Sequence, residues 1–358
     1  MAFPILDSRN GGKRDQTLAV DLGGRTTKAV QVQRRGQSFA LGGYAVLDAP
    51  IFEKTISAEL LTEHLKAIMH ALAPKAKYVT LTVGVNDALI RHADMPRMPI
   101  DDLRRVLKLS AKTYLQQDLP GHVFDCQLGG PGQQPKAADK ATQPAGPPKQ
   151  RVLVAGTRKQ LVDDYVEGGR GAGLTVDCIV PSLIGPVNAF ENAMPEIFAN
   201  EAVALVDLGF KNTSICVIQQ GELILSRVVG IGGDRLTSGL AEALNVSYAE
   251  AEGIKVGMPT EVQAQLESLL LPLGRELRAS IDFFEHEQDR PVTQAFLTGG
   301  PARSEFIVQS LQRELMIECK ILNPTTFMQM ELPPQQAAEI EQVAPQLTVA
   351  LGAALAAL

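Results

Sequence analysis

The chain has 358 residues, of which 45% are hydrophobic and 21% charged, so it can bury a substantial core and is long enough for about two domains. Its 34 basic and 40 acidic residues give a net charge of −6, which argues against a general nucleic-acid-binding protein. The composition of 31 glycines, 5% aromatic residues and no tryptophan favours an α/β protein with many tight turns. The four cysteines are widely spaced and predict reduced thiols, not disulfides or a zinc site: Cys126, Cys178, Cys216 and Cys319.

Neither end of the chain resembles a membrane anchor. Residues 1–16 lack the apolar segment of a secretory signal and are predicted to be a flexible tail. We expect no stretch with the ~18 consecutive apolar residues of a membrane-spanning helix. The apolar segment 347–358 has no basic face, so it is expected to be a buried closing helix and not a surface anchor.

The first half of the chain alternates strand and helix patterns. Strands are predicted at 17–33 (two strands joined by a tight turn), 39–47, 78–84 and 151–156. Apolar residues at helical spacing predict helices at 57–72, with Ser57 as N-cap, and at 101–118. Residues 129–150 are mostly Gly, Pro, Gln, Lys and Ala, which favours a disordered loop inside a domain over a linker.

The second half repeats this alternation. A helix is predicted at 182–192, and three strands joined by turns follow at 204–229. The remaining pattern predicts helices at 234–256, 260–287 and 303–315, with a strand at 294–298 before the last of them.

An internal repeat carries the main chemical signal. The segment VDLGGRTTKAV at 20–30 aligns with VDLGFKNTSIC at 206–216, and the offset is 186 residues. In both copies a glycine follows the strand, where it lets the backbone approach a ligand and direct N–H groups at it. An aspartate at the end of each strand, Asp21 or Asp207, suits a hydrated Mg²⁺ ion. Two ordinary β-hairpins would produce the same sequence pattern. The occurrence of the pattern in both halves of the chain nevertheless favours two turns that hold a polyphosphate between them.

Three further segments are compatible with one nucleotide. Residues 230–234 (GIGGD) end a strand and begin a helix, where N–H groups can meet a ligand. Glu252 and Lys255 lie one helical turn apart, either as an exposed ion pair or as ligands of a ribose. Residues 298–303 (TGGPAR) form a strand-to-helix turn whose glycines permit close packing of a base.

These segments together resemble the actin-like ATPase superfamily. Within it the chain is similar, over about residues 17–358, to the PilM family of type IV pilus assembly proteins, to which FtsA is related. The resemblance is carried by ADMPRMPIDDLRRVLKLSAKTYL at 93–115, the segment at 207–237, YAEAEGIKVG at 248–257, RASIDFFEHE at 278–287 and LTGGPARSEFIVQSLQREL at 297–315.

The resemblance implies a two-lobed α/β fold with duplicated nucleotide-binding subdomains and ATP with Mg²⁺ between the lobes. The first lobe would comprise 17–85, 157–181 and 335–358, and the second lobe 182–334. Residues 86–156 would form a small inserted subdomain of the FtsA and PilM type, containing the loop 129–150.

The resemblance also implies the site residues. The first phosphate loop would contain Asp21, Gly23, Gly24, Thr26, Thr27 and Lys28. The second would contain Asp207, Gly209, Lys211, Asn212 and Thr213. Sugar and phosphate contacts would come from Gly232, Gly233, Asp234, Glu252 and Lys255, and the adenine would lie beside Gly299, Gly300 and Arg303. Asp21 and Asp207 would hold the metal through water.

A cytoplasmic ATP-binding scaffold is the function that the resemblance implies. Its inserted subdomain would help to bind the cytoplasmic N-terminal peptide of a PilN-like inner-membrane protein, so that the chain is peripheral to the membrane through its partner. Where the heat-shock chaperones have an acidic residue before the proline of the inter-lobe helix, this chain has Val180, so at most slow ATP hydrolysis is expected. The alternatives are a sugar or small-acid kinase and a filament-forming, FtsA-like membrane adaptor.

Overall fold

The computed structural model describes residues 6–7, 14–74, 76–129 and 148–358. The predicted tail 1–16 and loop 129–150 therefore lie largely outside the described residues. The strands are β1 (Leu6–Asp7), β2 (Gln16–Leu22), β3 (Thr26–Arg35), β4 (Ser38–Asp48), β5 (Tyr78–Val83), β6 (Ala88–Pro96), β7 (His122–Leu128), β8 (Lys149–Arg158), β9 (Thr175–Pro181), β10 (Ala202–Leu208), β11 (Thr213–Gln219), β12 (Glu222–Val229), β13 (Gln294–Gly299), β14 (Glu318–Ile321) and β15 (Met328–Met330).

The helices follow the predicted pattern with several additions, except that the single helix predicted at 234–256 is two helices, because Asn245 ends the first in a left-handed conformation and Ser247 caps the second. They are α1 (Ala58–Leu72), α2 (Ile100–Leu115), α3 (Lys159–Gly171), α4 (Gly185–Ala193), α5 (Pro195–Asn200), α6 (Gly233–Leu244), α7 (Tyr248–Gly257), α8 (Gln263–Gln288), α9 (Glu305–Leu315), α10 (Pro334–Val343) and α11 (Thr348–Ala357). Ser57 caps α1 as predicted, because its hydroxyl accepts a hydrogen bond from the Leu60 N–H.

Two sheets share one topology, which explains the sequence repeat. The first has the order β1-β9-β5-β2-β3-β4-β15 and the second the order β12-β11-β10-β13-β14. Each sheet contains three consecutive antiparallel strands, β2-β3-β4 in the first and β10-β11-β12 in the second. The first strand of each set also pairs in parallel with a strand on its other side, β2 with β5 and β10 with β13. Asp21 and Asp207 therefore occupy equivalent places at the ends of β2 and β10.

A third sheet lies within the predicted insertion. Its order is β6-β8-β7, and both outer strands run antiparallel to β8. Met95, Leu103, Leu107 and Val154 are fully buried in a small core between this sheet and α2. On the other face of the sheet, Leu153 and Ala155 join the large core that includes the first sheet.

Two strands depart from the predicted boundaries. Residues 328–330 were expected in the second lobe, but β15 pairs with Phe39 to Leu41 of β4 and thus extends the first sheet. Residues 6–7 were expected in the flexible tail, but β1 pairs with Ile179 and Cys178 of β9. In both cases an open sheet edge recruits a short strand, because its N–H and C=O groups need partners.

The C-terminal helix closes the core. In α11 nine of the ten residues, all except Leu355, are buried, as expected for a closing helix. By length and composition alone, the segment Pro334–Ala357 could span a membrane, although polar residues interrupt it and it contains no run of ~18 consecutive apolar residues. However, 72% of its most apolar window is buried inside the protein, which is also typical of a core helix.

Candidate functional site

Two glycine turns face each other in the cleft between the two larger sheets. In the first, the Gly23 N–H donates to the Asp21 carbonyl at 3.0 Å. A Cβ atom on Gly23 would lie 2.5 Å from the Thr26 carbonyl oxygen and 2.8 Å from Lys28 Nζ. In the second turn, the Gly209 N–H donates to the Asn212 carbonyl at 3.0 Å, and a Cβ would lie 2.6 Å from that oxygen. Both turns therefore require glycine for close backbone approach.

The two aspartates influence each other electrostatically. Asp21 is buried, accepts a hydrogen bond from Thr82 Oγ1 at 3.0 Å and lies 3.6 Å from Lys28 Nζ. Removal from water and the negative charge of Asp21 raise the pKa of Asp207 to about 6, against the opposing effect of Lys28. A cation placed between the two carboxylates would relieve this repulsion.

Two threonines of the predicted phosphate loops have other partners. Thr27 is buried, and its hydroxyl is 2.7 Å from His64 Nε2. Thr213 is also buried and donates its hydroxyl hydrogen to the Ile231 carbonyl at 2.6 Å. Both hydroxyls therefore already have partners within the protein, and their role as phosphate donors stays a prediction. The predicted residues that remain accessible on the turns are Gly23, Gly24, Thr26, Lys28, Gly209, Lys211 and Asn212.

The segment GIGGD packs directly onto the second turn. A Cβ on Gly232 would lie 2.4 Å from the Phe210 carbonyl oxygen, so no larger residue fits there. The N–H groups of Gly233 and Asp234 donate to the Gly209 and Phe210 carbonyls, both at 2.9 Å. These two amides thus hold the turn and are not directed at a ligand, in contrast to the prediction.

Asp234 contributes its side chain to the cleft. Its carboxylate accepts hydrogen bonds from Lys211 Nζ at 2.6 Å and from the Tyr248 hydroxyl at 3.0 Å. Partial burial alone would raise the pKa of Asp234, but these two hydrogen bonds outweigh that effect and lower it. Asp234 is therefore ionised at neutral pH.

Glu252 and Lys255 form a partly buried cluster and not the exposed ion pair considered above. Lys255 Nζ donates to Glu252 Oε2 and to the Thr237 hydroxyl, both at 2.7 Å, and is itself buried. Burial would raise the pKa of Glu252, but the hydrogen bonds from Lys255 and Thr237 lower it overall. Ser247 fixes the start of α7 with a capping box, so the helix presents this pair in one defined place.

The third glycine segment adjoins the second aspartate. Gly299 is beside Leu208 in the parallel β10–β13 pairing and has φ +92°. A Cβ there would lie 2.2 Å from the Leu208 carbonyl oxygen and 2.8 Å from Asp207 Oδ1. Gly300 has open space around it, and Arg303 ends the following 3₁₀ turn with an exposed side chain.

Several residues of the cleft were not singled out from the sequence. Thr82, Thr237 and Tyr248 bind the side chains of predicted site residues, although each of the three is far from its partner in sequence. Arg25 was noted only as part of the repeat, yet its Nη1 lies 3.4 Å from Glu252 Oε2 across the cleft. Because each contact joins residues that are distant in sequence, no local pattern signals it.

The family model described as "Type IV pilus assembly protein PilM" matches residues 19–358 of this chain. The chain belongs to the PilM family. Among solved structures, the PilM-PilN type IV pilus biogenesis complex has a TM-score of 0.81 at 21% identity, with 97% of this chain and 99% of that chain covered. This likeness establishes the fold.

Two further solved structures resemble this fold, and one curated protein matches part of the sequence. EutJ of Carboxydothermus hydrogenoformans gives a TM-score of 0.55 at 15% identity over 98% of this chain and 92% of its own. MreB5 of Spiroplasma citri, solved with AMPPNP, gives 0.52 at 10% identity over 95% of each chain. FtsA of Bacillus subtilis is 26% identical over 175 residues, which are 48% of this chain and only 38% of that FtsA. The fold of this PilM-family chain is therefore that of the actin-like ATPases.

The cleft of this PilM-family chain suits a magnesium nucleotide. Among the described residues, no group of three or more His, Cys, Asp or Glu side chains is arranged to hold a metal ion. Asp21 and Asp207 alone would leave most metal positions to water and phosphate oxygens, which is how Mg²⁺ is usually bound beside nucleotides. The elevated pKa of Asp207 and the glycine turns, which leave no room for a Cβ, both fit that ligand.

Proposed function

We propose that this chain is a cytoplasmic scaffold of type IV pilus assembly, or of a related secretion system, that binds ATP with Mg²⁺ between its lobes. The observation that carries the nucleotide part is the pair of facing glycine turns with Asp21 and Asp207 at their bases. The two turns would hold the phosphates. The first turn includes Gly23, Gly24 and Thr26, and the second includes Gly209, Lys211 and Asn212. Bound Mg²⁺ would neutralise phosphate charge beside the two carboxylates.

The remaining cleft residues would hold the nucleoside. Glu252 and Lys255 are fixed together on α7 and would bind sugar and phosphate oxygens. Asp234 and Lys211 form an ion pair at the edge of the second turn and would contact the same groups. Gly300, with open space around it, would lie against the adenine, with Arg303 nearby.

Hydrolysis is expected to be slow. Val180 is fully buried on β9, beside Thr82 of β5, which is the residue that donates to Asp21. Paired residues of neighbouring parallel strands have their side chains on the same face of the sheet. The aliphatic side chain of Val180 therefore lies near Asp21, which is proposed to hold the metal. It can neither orient water nor accept a proton. A kinase would need a free carboxylate base in the cleft. Asp21 and Asp207 are assigned to the metal, and the carboxylates of Asp234 and Glu252 are paired with Lys211 and Lys255.

The partner site is proposed to lie on the inserted subdomain. A groove with a volume of about 210 Å³ separates the start of β6 from β12 of the second lobe. Its walls are mostly apolar and consist of Val85, Ala88, Leu89, Ile90, Leu183, Ser226, Arg227 and Val228. The solved relative is described as a PilM-PilN complex, which supports the cytoplasmic N-terminal peptide of a PilN-like inner-membrane protein as the occupant. The chain would reach the membrane through this partner.

Thermal denaturation with and without ATP and Mg²⁺ tests the nucleotide site. Ligand at 100 times its Kd stabilises a folded protein by about 2.7 kcal/mol, which raises the melting temperature by several degrees. We expect this shift for the unsubstituted chain and its loss in Asp21→Ala. Phosphate release should stay near background in the same samples. Rapid release that Asp207→Ala abolishes would contradict the proposal of slow hydrolysis.

A further inference from the structure

Arg25 crosses the cleft at the tip of the first glycine turn. Its guanidinium lies 3.4 Å from Glu252 Oε2 and 5.8 Å from the centre of the Phe210 ring. Its positive charge also contributes to the lowered pKa values of Asp234 and Glu252. All of these partners belong to the second lobe, whereas Arg25 belongs to the first.

The contact with Glu252 is the weakest of those that this carboxylate makes. Glu252 Oε2 already accepts a hydrogen bond from Lys255 at 2.7 Å and lies 2.5 Å from the Thr237 hydroxyl. Arg25 approaches the same oxygen at a longer distance, through one nitrogen, and 44% of its side chain is exposed. A half-exposed single contact of this kind contributes little stability and is easily exchanged.

A nucleotide would compete for both members of this pair. Glu252 is assigned above to the nucleotide, so a bound nucleotide would engage Glu252 and leave Arg25 without this partner. The guanidinium then lies beside the glycine turns, where phosphate oxygens would collect. Arginine binds phosphate through two parallel hydrogen bonds, which is a better match than its present single contact.

We propose that Arg25 exchanges Glu252 for the phosphates of the nucleotide and so couples phosphate binding to release of a contact between the lobes. This inference rests on the proposed nucleotide function. In the empty cleft Arg25 contacts the second lobe through Glu252. In the occupied cleft it is a phosphate ligand on the first turn.

Calorimetric titration of the full chain with AMPPNP and Mg²⁺ tests the exchange in Arg25→Gln and Arg25→Lys. We expect Arg25→Gln to weaken AMPPNP binding about tenfold, as for loss of a charged hydrogen bond. Arg25→Lys should give a smaller loss, because lysine keeps the charge but not the paired donors. The matched control is Arg35→Gln, which removes an equally exposed arginine 3.1 Å from Glu331, outside the cleft.

A second ligand separates phosphate binding from general damage to the site. Adenosine, which has no phosphate, should bind Arg25→Gln at least as well as the unsubstituted chain, because Glu252 is released. Unchanged or tighter AMPPNP binding by Arg25→Gln would overturn the inference, as would an equal loss for adenosine and AMPPNP. Absence of AMPPNP binding by the unsubstituted chain would instead overturn the nucleotide function itself, and this inference with it.

Discussion

Asp207 is held in the cleft at an energetic cost. Its raised pKa means that the folded protein resists ionising this carboxyl group, because the group is largely withdrawn from water and Asp21 is close. A purely structural position would favour an uncharged residue there. A cation shared by the two aspartates, as proposed above, would remove this cost.

We predict that Asp207→Asn stabilises the protein at neutral pH and abolishes its response to Mg²⁺. With a pKa of about 6 when folded and about 3.8 when unfolded, the folded state binds the proton more tightly between these values. Stability therefore falls as pH rises through this window, and the penalty is complete above about pH 6. Removing it should gain about 1–3 kcal/mol at pH 7.5 and little at pH 4, as measured by urea unfolding.

The matched control is Asp234→Asn in the same cleft. The pKa of Asp234 is lowered by Lys211 and Tyr248, so its charge stabilises the fold and its loss should not stabilise it at pH 7.5. Stability of Asp207→Asn equal to that of the unsubstituted chain at both pH values would show that the Asp207 carboxylate carries no strain.

At the scale of elements, the repeat could be predicted and many of its contacts could not. The alignment of 20–30 with 206–216 anticipated β2-β3 and β10-β11, because alternating apolar residues around Gly23 and Gly209 are local signals. The helix starts at Ala58 and Gly233 also follow local signals, the capping Ser57 and a glycine turn.

The elements missed from the sequence lack such signals. α3 ends in EGGRG, a sequence that hides its helical period, yet Gly168 and Gly169 are buried where a Cβ would clash with Leu61 and Val176. β9 is buried from Val176 to Pro181 and shows no alternation. The hydrogen bond from Thr82 to Asp21 joins strands 61 residues apart, and only the parallel pairing of β2 with β5 brings them together.

The groove between β6 and β12 gives a prediction at this scale. Val228 is 37% exposed in its wall, so Val228→Asp should leave the fold intact while placing a charge where an apolar side chain of the partner would pack. We expect at least a tenfold loss of affinity for the N-terminal peptide of the PilN-like protein encoded by the same organism, measured by fluorescence anisotropy.

Val256→Asp is the matched control, because Val256 is 70% exposed on α7 and does not line the groove. Undiminished peptide binding by Val228→Asp would exclude this groove. Deletion of 86–128 is a poorer test, since it removes both strands that pair with β8 and would unfold the subdomain.

At the scale of the whole molecule, the inserted subdomain contacts the second lobe as well as the first. The backbone of Leu223 in β12 influences His92 of β6, and burial lowers the pKa of His92 to about 4, so it is neutral at pH 7. The charges of Arg151 and Glu222 also interact between β8 and β12. The proposed partner groove thus has one wall on each side of the junction between the lobes.

This arrangement predicts that nucleotide and partner peptide affect each other's binding. Closure of the cleft around a nucleotide would move β12 relative to β6 and so change the width of the groove. We expect AMPPNP with Mg²⁺ to tighten peptide binding about fivefold or more, which is typical of coupled sites. By linkage the peptide must tighten AMPPNP binding by the same factor, and calorimetry in both orders of addition measures the two factors independently.

The Asp21→Ala variant is the control and should bind the peptide with the same affinity whether or not nucleotide is added. Equal peptide affinity of the unsubstituted chain with and without bound AMPPNP would mean that the lobes do not transmit occupancy of the cleft to the groove.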